Sequence, residues 1–505
     1  MTDPDHPHPG PFDGAAVARA VRDLDLAELA ARPRHVASGE TVAEVHLAHA
    51  FAIAPGLVLA LVDVETDATG GLDGRTDRYA IPFVIGDGVA HEALEGDGAW
   101  RALAAAIAAG RTIPALTRDG VSETPGTDGG RVDAALVCRP SPGFGDAWGG
   151  AVDEVGSAAE TPLGRDRATT SAVIGGRLLL KAYRRVQPGL NPDLELTAYL
   201  SEEAQFSGVP RLAGWAEAVT RDGGVSTVAM LQAFVAGADG VDERTAEFLA
   251  DLIAAPGRVS MEWATDVAPD LGTLVAGLHA ALASPPADAP DLVPRGATHD
   301  ELKAWRWDAH RQLDLALDAV GTVDPGAAAD LRRDAATIAA RLSRFEAVAA
   351  APMVMRIHGD LHLGRLLVAD DGYRVVGFEG DPLRTLEERR RPDSPLRDVA
   401  SILRSLDHIA RDARRRADAR TGEPIERPRL DIDAWIERAR ARFLAAYADG
   451  LRRSGAPVTL DLDLLDAFEV AREIRELVYA ATLMPAMVRA DHEGMRWLLE
   501  HGEPA

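Results

Sequence analysis

The pattern of hydrophobic and polar positions divides the chain into two parts of different character. Residues 41–66 and 77–86 alternate between apolar and polar side chains, as half-buried strands do, and the Ala-rich residues 99–110 have helical character. This pattern predicts a small α+β module over residues 15–140. The Pro-rich, polar residues 1–14 predict a disordered tail that is not a secretory signal.

A second β-rich segment precedes a long helical one. Residues 141–168 are rich in Gly, Pro, Ser and Asp, which predicts a linker. Residues 169–240 predict a small β-rich lobe, in which Gly175 and Gly176 form the turn of a hairpin. Helical periodicity dominates residues 241–505, apart from short strands near residue 370. The predicted fold class is therefore α+β, with two lobes that follow an N-terminal module.

The amino-acid composition limits the classes of molecule that the protein is expected to bind. The 505 residues carry 79 acidic and 54 basic side chains, a net charge of −25. Such a surface repels nucleic acid and anionic lipid, which leaves a small molecule as the expected partner. No stretch is long and apolar enough to cross a bilayer. Cys138 is the single cysteine, which excludes an intramolecular disulfide and predicts a cytoplasmic protein. Nothing in the composition indicates an oligomeric state.

Two features could serve phosphoryl transfer, which needs a cation on the donor phosphates and a carboxylate at the acceptor hydroxyl. Lys181 ends the apolar strand "LLLK", and Glu195 on the following helix could pair with it. A strand-end lysine and a solvated glutamate would produce the same pattern. Asp360 lies in "IHGDLHLG", a short loop that could place a general base, and His358 would support the loop through its ring nitrogens.

Three segments carry a family resemblance. "HGDLHLG", "FEGDP" and "LEERRRPDSPLRDVASILRSLDH" together resemble the actinobacterial maltokinases and glucosamine kinases, of the aminoglycoside-phosphotransferase, or protein-kinase-like, superfamily. The resemblance covers residues 169–485. It implies a bilobal kinase-like fold that binds ATP between its lobes and phosphorylates a sugar. Residues 15–140 resemble a divergent form of the family's N-terminal cap domain, whose RQRWF-type element appears only as "ARPRHVAS".

The resemblance also implies roles for single residues. Lys181 would contact the donor phosphates, and Glu195 would orient it. The hinge near Gln232 and Phe234 would hold adenine through its backbone. Asp360 would be the base.

Two positions depart from the family pattern where it supplies oxygen ligands to magnesium. A Gln follows the HGDLHLG run in the family and an Asp precedes FEG, but this chain has Arg365 and Gly377 there. Neither residue offers an oxygen, and Mg²⁺ requires oxygen ligands in near-octahedral geometry. The resemblance further implies that Arg397 and Asp398 connect the loop after the metal site to the catalytic loop.

Three interpretations of these departures remain open. Glu379 and Asp381 could take over metal binding. Arg365 could itself neutralise phosphate charge. Alternatively, the site is catalytically impaired, and the protein is a pseudokinase that binds nucleotide or a partner.

The acceptor is predicted from one helix. Glu469, Glu473 and Glu476 recur at spacings of four and three, on one helix face, where a line of carboxylates would suit a cationic amino sugar. A solvated face paired with Arg472 and Arg475 would produce the same spacing. By the resemblance, Glu476 is the amino-sugar-binding glutamate, which favours a glucosamine-like acceptor over maltose.

Overall fold

The computed structural model describes most of the chain. The predicted tail at residues 1–14 and the segment "ARPRHVAS" lie outside the described residues. The chain divides into two compact units. The first comprises Met1–Gln205, Pro210–Ala236 and Pro382–Leu386, and the second comprises Phe206–Val209, Gly237–Asp381 and Glu387–Ala505. The described residues are 17, 19–21, 42–66, 75–86, 89–94, 96–116, 133–165, 169–254, 261–285, 292–381, 384–422 and 431–501.

An antiparallel sheet near the N-terminus forms one part of the first unit. Its strands are β1 (Val42–Ala54), β2 (Leu57–Thr66), β3 (Arg75–Gly86), β4 (Val89–Glu92) and β10 (Arg185–Val186). Both faces of β2 are covered: Leu59 and Leu61 belong to one apolar cluster, and Val58 and Val62 belong to another. Burial on both faces explains why this strand is a nearly continuous apolar run.

A second antiparallel sheet contains seven strands. Their spatial order is β5 (Thr112–Pro114), β6 (Ala134–Pro140), β11 (Leu212–Thr220), β12 (Val225–Ala233), β9 (Leu178–Tyr183), β8 (Thr169–Ile174) and β7 (Glu160–Arg165). The helix α1 (Ala99–Ala108) belongs to the same apolar cluster as the inward side chains of this sheet. Strands from both sides of residues 141–168 share this sheet, and those residues themselves contain a short helix and a strand. Two further helices of this unit are α2 (Phe144–Trp148) and α3 (Pro192–Ala198).

The second unit is mainly helical. Side-chain caps start several of its helices: Thr298 forms a capping box with Glu301, and Ser394 and Asp324 each precede a proline at the first helical position. No helix among the described residues is long and apolar enough to cross a membrane. The helices are α4 (Val241–Ala254), α5 (Met261–Leu282), α6 (His299–Val323), α7 (Pro325–Leu342), α8 (Leu386–Arg390), α9 (Pro395–Thr421), α10 (Ile432–Ser454), α11 (Leu462–Leu483) and α12 (Val488–His501), and the strands are β13 (Asp239–Gly240), β14 (Arg295–Gly296), β15 (Met353–Val354), β16 (Leu366–Ala369) and β17 (Gly372–Val375).

Glycines allow α5 and α10 to approach each other closely. A β-carbon at Gly272 would collide with the carbonyl oxygen of Phe443, and one at Gly450 would lie 2.5 Å from the β-carbon of Ala276. Neither approach leaves room for a methyl group. The closeness of these two helices therefore depends on glycine at both positions.

We expect Gly272→Ala to lower the free energy of unfolding by about 1–3 kcal/mol, because overpacking forces the two helices apart. Urea denaturation of the full chain measures this change. Gly321→Ala in α6 is the control, since its β-carbon would lie 3.5 Å from Arg332 Nη2, an ordinary contact. That variant should be neutral or gain up to about 1 kcal/mol from helix propensity. Equal losses in both variants would contradict the close contact.

Candidate active site

Lys181 in the first unit has a buried carboxylate partner. Its Nζ lies 2.7 Å from Oδ2 of Asp193, and the hydroxyl of Tyr183 donates to the same oxygen at 2.9 Å. Asp193 is 1% exposed, and its backbone N–H donates to the side chain of Asn191, the N-cap of α3. Asp193 is not among the residues predicted from the sequence, although the Asn-Pro-Asp run at a helix start could have indicated it. The predicted role of Glu195, two residues further along α3, stays a prediction.

The predicted hinge residues lie at the end of β12. Gln232 is buried and pairs in register with Leu179 on β9 and with Leu212 on β11. The N–H of Phe234 donates to the carbonyl oxygen of Arg177 at 2.7 Å. An adenine contact at Phe234 would therefore have to use its carbonyl group or displace this bond. The role of both residues in holding adenine stays a prediction.

Asp398, in the first turn of α9, holds the loop that carries Asp360. The N–H groups of His358 and Gly359 donate to its two carboxylate oxygens at 2.8 and 2.9 Å. On its other side, Nε2 of His279 lies 3.4 Å from Oδ2, and the hydroxyl of Tyr447 lies 2.8 Å from Nδ1 of the same ring. Burial raises the pKa of Asp398, but His279 and the loop N–H groups outweigh burial and hold the pKa below its usual range.

The side chain of His358 is buried and contacts residues of the loop and of its surroundings. Its Nε2 lies 3.2 Å from the carbonyl oxygen of Val376, its Nδ1 accepts the N–H of Asp360 at 3.3 Å, and its ring packs against Phe378. Burial lowers its pKa, so the ring is neutral and donates from Nε2. These contacts make His358 a positioning residue for Asp360.

The carboxylate of Asp360 faces a cation at each oxygen. Nη2 of Arg365 lies 3.3 Å from Oδ2, and Nη2 of Arg472 lies 3.7 Å from Oδ1. The side chain is 14% exposed. Burial raises the pKa of Asp360, although the two guanidinium groups oppose the shift. Nε2 of His362 lies 3.7 Å from Oδ2 of Asp360. Burial and the charge of Arg365 lower the pKa of His362 to about 4, so this ring is neutral.

The two departures from the family pattern, Arg365 and Gly377, touch each other. Gly377 has φ +80°, and a β-carbon there would lie 3.0 Å from Nη1 of Arg365 and 3.2 Å from its Cδ. Oε2 of Glu379 would lie 3.3 Å from the same point. A side chain at position 377 would therefore press against Arg365, which would have to shift by a few tenths of an ångström.

The side chains at this site do not fit the magnesium ion that the family resemblance implies. Arg365 lies against Gly377 and brings a fixed positive charge there. Asp381 is ion-paired with Arg475. The role of Glu379 and Asp381 in metal binding stays a prediction.

Two of the three predicted sugar-binding glutamates lie in the interior of the second unit. Glu469 accepts both terminal N–H groups of Arg440. Glu473 accepts from Arg404 at 2.7 Å, and Nε2 of His408 lies 3.1 Å away. Both glutamates are fully buried. Burial raises the pKa of Glu473, but Arg404 and His408 outweigh it and lower the pKa to about 2. These carboxylates serve as partners of internal cations.

Glu476 is the member of the set that lies near Asp360. Its Oε1 is 2.6 Å from Nη2 of Arg472, which also faces Asp360, and its side chain is 24% exposed. One turn of helix therefore separates the buried Glu473 from a glutamate that solvent can reach. The spacing places all three glutamates on one face of the helix. Of the three, Glu476 alone is accessible to solvent.

We expect Glu473→Gln to lower the free energy of unfolding by about 2–3 kcal/mol, because it breaks a buried charge network in which Arg404 pairs with both Glu473 and Asp407. Glu476→Gln is the matched control on the same helix, and its partly exposed pair should contribute at most about 1 kcal/mol. Denaturant unfolding compares the two. The carboxylate of Glu473 stabilises the fold fully above its unfolded pKa of 4.5, and this contribution is lost as the pH falls toward 2. A deficit that does not shrink on acidification would contradict the ionic pairing.

Solved structures define the class of fold. A glucosamine kinase in complex with glucosamine, ADP and inorganic phosphate is 24% identical, with a TM-score of 0.65 over 95% of this chain and 98% of that one. A second crystal form of a glucosamine kinase has a TM-score of 0.68 at 24% identity, covering 96% of this chain and 99% of that one. The fold is thus of the kinase-like α+β type, and the predicted fold class is confirmed.

Sequence relatives define the family. The glucosamine kinase of Streptacidiphilus jiangxiensis is 30% identical over 464 residues, which cover 89% of this chain and 92% of the relative. That of Mycolicibacterium smegmatis is 28% identical over 343 residues, 68% of this chain and 80% of the relative. No family model matches the chain. The chain belongs to the glucosamine kinase family, which confirms the predicted resemblance.

Proposed function

We propose that this protein is an ATP-dependent kinase that transfers the γ-phosphoryl group to a hydroxyl of an amino sugar such as glucosamine. One observation carries the proposal. Asp360 is partly exposed at the end of a loop whose two preceding N–H groups are bound by Asp398. A carboxylate held in this way suits a general base at an acceptor hydroxyl.

The proposed reaction is a single in-line transfer. The sugar hydroxyl oxygen forms a bond to the γ-phosphorus, while the bond from that phosphorus to the β–γ bridging oxygen breaks and ADP leaves. The hydroxyl proton passes to the carboxylate of Asp360. The raised pKa of Asp360 makes it a stronger base than an ordinary aspartate. Arg365 and Arg472 lie beside it, where they would stabilise the charge on the transferred group.

Donor binding is proposed for the first unit. Lys181 would contact the donor phosphates, and its ion pair with Asp193 would hold the ammonium in place. Glu195 would assist from the same helix, and the backbone near Gln232 and Phe234 would hold adenine. The solved relative that contains ADP supports nucleotide binding by this fold.

Glu476 is the proposed contact for the amino group of the sugar. Its Oε1 is engaged by Arg472, and its Oε2 is the second oxygen to which an ammonium could donate. Maltose carries no ammonium group, so glucosamine is proposed as the preferred acceptor. The relatives named as glucosamine kinases support this order. Glu469 and Glu473 are not proposed as sugar contacts, because both are buried and paired with arginines.

A second candidate is a non-catalytic protein that binds nucleotide or a partner. The observation that favours it is the contact of Arg365 with Oδ2 of Asp360, because a base whose oxygen already faces a cation gives up part of its proton affinity. A measurement of sugar-dependent ATP turnover distinguishes the kinase from the non-catalytic protein.

We expect ADP to form from ATP in the presence of glucosamine, and less of it with maltose or glucose at equal concentration. Glucosamine acetylated at nitrogen is the matched control, because it keeps every hydroxyl but loses the charge that Glu476 would bind. A coupled assay measures ADP, and mass spectrometry identifies the phosphorylated sugar. If no sugar raises ADP formation above the blank, the kinase proposal is wrong and the non-catalytic candidate is favoured.

We expect Asp360→Asn to lower kcat at least about 100-fold, because an amide cannot accept the proton. Asp371→Asn, an exposed change at the nearby hairpin turn, should leave kcat unchanged. The melting temperature of both variants should match that of the original chain. In the original chain, kcat should fall on acidification with a midpoint above the ordinary aspartate value of 3.8, since the pKa of Asp360 is raised. Normal turnover by Asp360→Asn would remove it from the role of base.

A further inference from the structure

A second side chain of α9 contacts the loop that carries Asp360. Oγ of Ser405 accepts the N–H of Leu363 at 3.0 Å. Asp398, on the same helix, accepts the two N–H groups that precede Asp360. Ser405 follows Asp398 by seven residues, about two helical turns, so both side chains project from one face of α9. The loop is therefore bound to this face on both sides of Asp360.

The local backbone explains why Leu363 needs an acceptor from outside the loop. It is the first residue of a single 3₁₀ turn, Leu363–Arg365, and the first N–H groups of a helix have no acceptor within that helix. Leu363 is fully buried, and a buried N–H group without an acceptor costs free energy. The next N–H group, that of Gly364, donates to Nδ1 of His362. Each of the first two N–H groups of the turn thus has a side-chain acceptor.

The two anchored stretches of the loop are close together in the sequence. Three residues lie between them, and they are Asp360, Leu361 and His362. Gly359 has φ +81°, and a glycine restrains the chain less than any other residue does. A general base must lie within hydrogen-bond reach of the proton that it accepts, and a displacement of about 1 Å can lower the rate about 100-fold. The position of Asp360 therefore depends on both anchors.

We propose that Ser405 is a positioning residue for Asp360. Its hydroxyl group holds the part of the loop that follows the base, as Asp398 holds the part that precedes it. Ser405 acts through the backbone of Leu363 and not through contact with a substrate. The inference rests on the proposed function in one respect, that Asp360 is the base. The contacts that carry it lie within the second unit.

Ser401 provides a matched control on the same face of α9, one turn before Ser405. It is buried, and its Oγ has no hydrogen-bond partner among the described residues. Ser401→Ala therefore removes the same hydroxyl group from the same helix without removing a bond to the loop. A difference between the two variants isolates the contact with Leu363.

Amide hydrogen exchange of the full chain, measured by mass spectrometry without ligands, tests the anchor itself. We expect Ser405→Ala to raise the exchange rate of the peptide over residues 360–366 about threefold or more, because Leu363 loses its acceptor and the loop opens more often. Ser401→Ala should leave this rate unchanged. Equal exchange in Ser405→Ala and in the original chain would overturn the anchor and the inference with it.

Steady-state kinetics with ATP and glucosamine test the positioning role. Ser405→Ala should lower kcat about three- to tenfold and leave KM for both substrates within about twofold, because the base is displaced while the substrate contacts remain. Ser401→Ala should keep both constants. A raised KM with an unchanged kcat in Ser405→Ala would show a role in substrate binding and would contradict the proposal.

The outcomes distinguish this inference from the proposed function. If Ser405→Ala keeps a normal kcat while Asp360→Asn lowers it at least about 100-fold, the positioning role is wrong and the kinase proposal stands. If the original chain forms no ADP with any sugar, the proposed function is wrong, and the catalytic role of Ser405 is wrong with it, whatever the exchange measurement shows.

Discussion

The position of the loop that carries Asp360 depends on one buried carboxylate. Asp398 accepts the N–H groups of His358 and Gly359 and contacts His279, so four elements of the second unit meet through it: the loop, α9, α5 and, through Tyr447, α10. Its position in the first turn of α9 places a negative charge at the positive end of a helix dipole. A loop with a left-handed glycine has little conformational preference of its own, so this anchor decides where Asp360 lies.

Charge around Asp360 is balanced by arginine. A divalent ion concentrates its charge at one point and exchanges with solvent, whereas guanidinium groups are permanent parts of the chain with directed N–H groups. Arg365 lies close to Gly377, where a β-carbon would press against its guanidinium, and brings its charge to that place.

The helix α11 shows how internal charge can resemble a binding face. Its glutamates recur on one side, which suggested a surface for a cationic ligand, but Glu469 and Glu473 meet arginines of α10 and α9. A buried carboxylate needs a partner because its desolvation is costly, and a neighbouring helix can supply one as readily as a ligand can. The partners of these two carboxylates are arginines of the same protein, and the spacing of residues along one helix cannot show which groups of other helices lie opposite.

The sequence by itself determined what depends on neighbouring residues. Gly175 and Gly176 make the hairpin turn, Asn191 and Pro192 start α3, and the HGDLHLG loop with the run around Asp398 identified the family. Only the tertiary structure decided which distant groups meet. It paired Lys181 with Asp193 on the following helix, placed strands from both sides of residues 141–168 in one sheet, and laid Arg365 over Gly377. Turns and caps follow from local backbone preferences, whereas the partner of a buried charge depends on which elements pack around it.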